Sequence, residues 1–162
     1  MTAFQRYAVV VAAFATALYL ALIVAAFGFI SLLADVEVVS EPDAGAFVGP
    51  TMAAASLLLV AVVLVVSGVR VPPARQRISI GTALLTGLGA YAVYLLVGGV
   101  LLAASSGEAV TGVLFLGANL GSPFPVAVGI LAVLIVITYL AVLVARGHGA
   151  SRPHWPWEHD DE

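Results

Sequence analysis

The chain has 162 residues, of which 62% are apolar and only 9% charged, against roughly 25% charged in an ordinary soluble domain. Its charges are six arginines, no lysine and nine carboxylates, a formal net charge of −3. So few polar groups cannot cover a water-soluble globule, which makes this an integral membrane protein. With no Cys, thiol catalysis, disulfide exchange and thiolate metal ligation are excluded. No basic cluster interleaved with aromatics exists, so nucleic acid is not an expected partner.

Four apolar runs follow in chain order, at about 7–33, 50–69, 78–104 and 124–145. Each reaches the roughly 20 residues that a helix needs to cross a 30 Å hydrocarbon core. None contains Asp, Glu, Lys, Arg or His. Backbone polar groups in lipid must be satisfied internally, so these runs predict helices, and the period-2 alternation of a membrane barrel is missing. The expected fold is all-α, a transmembrane bundle of four antiparallel helices over residues 1–147. Residues 148–162 form a separate Pro/Trp/acidic tail.

The first run follows Arg6 and is too long for a cleaved signal, whose apolar core is typically about 7–15 residues, so it reads as an uncleaved anchor. The link VRVPPARQR after the second run is stiffened by Pro72 and Pro73 and carries Arg70, Arg75 and Arg77. Arg146 and Arg152 follow the fourth run, while the other two connections hold no basic residue. All arginines therefore fall on one side of a four-pass topology, and the positive-inside rule expects both termini in the cytoplasm of a plasma-membrane protein. The first outer loop is acidic, with Asp35, Glu37, Glu41 and Asp43. The second contains AVTGVLFLGANL at 109–120, apolar but too short to span, then a break at Pro123 and Pro125. That segment fits either the interface or the mouth of the bundle.

A weak internal echo has an offset of 75 residues: ATALYL at 15–20 aligns with AYAVYL at 90–95, and Pro50 with Pro125. Chance matching in Ala/Val/Leu-rich sequence is the simpler explanation.

Ion-coupled carriers and proton relays need ionisable groups inside the membrane. The apolar runs offer only uncharged polar side chains, chiefly Tyr19, Thr86, Tyr91, Tyr94 and Tyr139. One reading makes them a cavity whose hydroxyls hold an amphipathic ligand. The structural reading, which we favour, has each hydroxyl bonding a neighbouring helix. Tyr91 and Tyr94 are three apart and share a helical face. Small residues recur at i, i+4 at Ala13, Ala17, Ala21 and Ala25, and again at Ala83 and Gly87, where close helix approach is expected.

In the tail, His148, His154 and His159 lack metal-site spacing, so no metal or other cofactor is expected. Trp155 and Trp157 serve either as anchors in the headgroup layer or as docking aromatics for a partner. The all-Arg basic set, the Ala/Val/Gly-heavy helices and the tail RPHWPWEHDDE resemble the small four-pass membrane proteins of uncharacterised families in actinobacteria. That resemblance spans the chain and implies no particular activity.

The functional expectation is a non-enzymatic accessory, assembly or regulatory subunit of a membrane complex. Its partners would be the lipid bilayer and either another membrane protein or a second copy. The alternative is a small oligomeric transporter or channel with an uncharged Tyr/Thr-lined pathway. An intramembrane enzyme would have to draw its acid or base from the tail histidines.

Overall fold

The computed structural model describes residues 2–34, 47–72 and 76–147. These form five helices: α1 (Ala3–Ala34), α2 (Val48–Arg70), α3 (Ile80–Ser106), α4 (Ala109–Asn119) and α5 (Pro123–Gly147). There is no strand among the described residues. All but α4 are long and apolar enough to cross a membrane, so the chain is a multi-pass helical bundle.

The helix boundaries have local causes. Ser79 caps α3 by accepting the Thr82 N–H at 3.3 Å, satisfying one of the donors a helix start leaves unpaired. Gly107 ends it at φ 72°, a left-handed conformation that side chains resist. The two prolines expected to break the chain instead lie in the first turn of α5. Pro is tolerated there because first-turn N–H groups have no intrahelical acceptor. The 109–120 segment is helical as α4 and lies along α3.

α1, α2, α3 and α5 pack in that cyclic order, so each long helix touches two antiparallel neighbours. Several contacts fix the relative depth of the helices. Ser56 Oγ on α2 donates to the Ala90 carbonyl on α3 at 3.0 Å. Phe27 of α1 meets Phe124 of α5 and Tyr94 of α3 edge to face, with ring centroids 5.2 and 5.9 Å away. On α3, Gly87 faces α5 at Gly129, whereas Gly99 faces α4 at Gly112. The start of α5 thus lies beside the middle of α3, and α4 covers the remaining length of α3.

These glycines are where backbones meet. A Cβ on Gly87 would stand 2.7 Å from the Gly129 carbonyl oxygen, and one on Gly99 would stand 3.2 Å from that of Gly112. Lipid offers no hydrophobic incentive for helices to associate, so contact this close is how they gain dispersion energy.

The buried face of α1 is Ala8, Ala12, Tyr19 and Ile23. At an offset of 75 these become Ala83, Gly87, Tyr94 and Gly98, all buried on α3. The faint sequence echo therefore coincides with the same buried register in the two helices. The regular row Ala13, Ala17, Ala21 and Ala25 is exposed on the opposite face.

One end of the bundle collects the described arginines. Gln5 near the start of α1 donates to the Val69 carbonyl near the end of α2 at 3.3 Å. The Arg146 guanidinium lies 5.4 Å over the Tyr7 ring. Arg6, Arg70, Arg77 and Arg146 thus share this end, and Glu108, the only described carboxylate, lies in the α3–α4 turn at the other.

Candidate functional site

Three of the four intramembrane tyrosines close on backbone carbonyls. Tyr19 donates to Val128 O at 3.0 Å and Tyr139 to Ala8 O at 3.2 Å, so two hydroxyl ties join α1 to α5. Gly68 makes the second possible, because any Cβ there would occupy the space of the Tyr139 hydroxyl. Tyr91 donates to Leu120 O, beyond the end of α4. Thr86 donates within its own helix, to Thr82 O at 2.7 Å.

Tyr94 is different. It is 1% exposed, and its hydroxyl is the one buried side-chain polar atom without a hydrogen-bond partner among the described residues. Tyr91 and Tyr94 leave α3 toward different neighbours, the first to the α4–α5 junction and the second to Phe27 of α1. Trp155, Trp157 and the tail histidines lie outside the described residues.

Two of the cavities that indent the described bundle are lined by none of the five residues singled out in the sequence. The first is an apolar groove of about 510 Å³ between Ile23 and Phe27 of α1 and Pro50, Ala53 and Leu57 of α2. The second, of about 630 Å³, is at the arginine end. Its lining is polar at Ser67, Gln76, Arg77, Ser79 and Thr82 and apolar at Val71 and Leu140. Gln76 is 4% exposed and is held by the C-terminal end of α2, donating to Val71 O at 3.0 Å and Ser67 O at 3.4 Å.

Sequence reasoning passed over this second cavity, and also Ser56, whose hydroxyl bridges α2 and α3. The signal was available for both. Ser56 is the hydroxyl nearest the middle of its apolar run, and Gln76, Arg77, Ser79 and Thr82 cluster where a short link meets a helix. Among the described residues no group of His and carboxylates is placed to hold a metal ion.

This arrangement offers packing, hydrogen-bond ties and one polar, positively charged recess. No curated protein and no solved structure matches the chain. A family pattern does match, over residues 1–162, and the chain belongs to that family of unknown function (DUF6121).

Proposed function

We propose that the chain is a non-catalytic plasma-membrane component that acts by binding, as an accessory, assembly or regulatory subunit of a larger membrane complex. The observation that carries this reading is the closure of the bundle interior. Tyr19, Tyr139 and Ser56 spend their hydroxyls on carbonyls of neighbouring helices. Gly87 and Gly129 bring α3 and α5 to backbone contact. A transport pathway lined by Tyr and Thr would need those hydroxyls facing a common cavity. Here they serve as ties between helices, which favours function at the bundle's surfaces. Both termini would face the cytoplasm, with Trp155 and Trp157 presented there for docking.

The test is affinity capture in mild detergent of the full chain beside one ending at Arg146, with co-purifying proteins identified by mass spectrometry. A stoichiometric membrane partner lost on truncation supports a docking subunit. Purification alone in both forms, with flux of an uncharged solute in proteoliposomes, overturns it in favour of the oligomeric transporter.

A further inference from the structure

We propose that the cavity at the arginine end binds the phosphate headgroup of an anionic membrane lipid. Its position is the first reason. The cavity opens where α2 ends and α3 begins, at the end of two apolar spans and beside Arg77, and the ends of spans of that length meet the phosphate level of a bilayer. Its chemistry is the second. Arg77 supplies a planar fork of donors suited to phosphate oxygens, and makes no ion pair among the described residues.

Ser79 and Thr82 together add a donor. The Ser79 Oγ accepts twice, from Thr82 N at 3.3 Å and from Thr82 Oγ1 at 2.9 Å. The Ser79 and Thr82 hydroxyls share one hydrogen bond, which leaves one hydroxyl hydrogen of the pair for a ligand. The first turn of α3 beside it contains no acidic residue, and its partial positive charge adds to the attraction. Gln76 is held by its bonds to α2, so the polar lining is preorganised.

The apolar part of the lining selects the source of the phosphate. Val71 and Leu140 give an apolar surface that a free inorganic anion would not use and that a glycerol backbone with its acyl chains would. At about 630 Å³ the cavity also exceeds what a bare phosphate fills. A headgroup with the first carbons of its chains matches both the size and the mixed lining.

Native mass spectrometry of the full chain in micelles, supplemented with phosphatidylglycerol, phosphatidylcholine or inorganic phosphate, tests this. One phosphatidylglycerol should be retained in preference to phosphatidylcholine, and Arg77→Gln should weaken its retention about tenfold. Arg70→Gln, at the same end but outside the cavity, should leave that retention nearly unchanged. Equal losses in the two variants would reduce the effect to the general attraction of basic residues for anionic lipid and overturn the site. Equal retention of the two lipids would also overturn it. Displacement of the lipid by millimolar inorganic phosphate would overturn the lipid assignment and leave a free-anion site. Should Arg77→Gln not fold, a photoactivatable phosphatidylglycerol on the unaltered chain decides. Adducts within residues 67–82 support the proposal, and adducts elsewhere alone contradict it.

Discussion

The two hairpins α1–α2 and α3–α5 bury the same register of their first helices and reach different packing. Each begins at the arginine end, and each places a tyrosine at the same register, Tyr19 and Tyr94. In α3–α5 the helices meet at backbone level, Gly87 against Gly129. In α1 the position in register with Gly87 is Ala12, and α1–α2 leaves a groove of about 510 Å³ toward the other end. The tyrosines diverge in the same way: Tyr19 has found an acceptor on α5 and Tyr94 has none. Helices that lipid solvates as well as their neighbours do need some other attraction. One hairpin uses a glycine seam, and α1 is held to α5 by hydroxyl ties.

This difference can be broken by substitution, with reversible unfolding in mixed micelles as the readout. Gly87→Ala should have the largest effect, a loss of about 2–3 kcal/mol, because the new methyl meets the Gly129 carbonyl and Val133 with no flexible neighbour on the backbone side. Tyr19→Phe should cost about 1 kcal/mol through loss of the bond to Val128 O. Ser56→Ala should cost less, about 0.6 kcal/mol, since the Ala90 carbonyl keeps its place in the helix ladder of α3.

Tyr94→Phe should change stability by no more than about 0.5 kcal/mol and can raise it, because it removes a buried hydroxyl with no partner. A cost for Tyr94→Phe equal to that of Tyr19→Phe would show that the two hairpins are tied alike. Gly28→Ala should be the mildest, within about 0.5 kcal/mol, as nothing lies within 4 Å of its would-be Cβ.

The helices themselves were legible in the sequence because hydropathy and span length carry most of the constraint in lipid. The four apolar runs correspond to α1, α2, α3 and α5, and the short apolar segment at 109–120 to α4. Which face is buried was not legible, because both lipid and protein interior are apolar. The tidy row Ala13, Ala17, Ala21 and Ala25 is exposed, and the less regular Ala8, Ala12, Tyr19 and Ile23 forms the contact. Helical spacing placed Tyr91 and Tyr94 together, but three residues also rotate a side chain far enough to reach a different neighbour. The cavity at Arg77 was not legible because it depends on Gln76 bonding back to Ser67 and Val71 at the end of α2, which spacing along one helix does not encode.

The account rests on a bundle interior closed to water, and the absence of native Cys makes that directly measurable. Single cysteines at Ser56, Ala90 and Ala132, all 0% exposed and each differing from Cys by at most one added heavy atom, would be challenged with a water-soluble thiol reagent in micelles, where both ends of the bundle are accessible. Cysteines at Arg77 and Ser106, both exposed, serve as reactive references. The account predicts rapid labelling of the references and none of the three interior positions. Labelling of Ser56→Cys and Ala90→Cys at rates near those of the references would reveal a hydrated path through the bundle and contradict it.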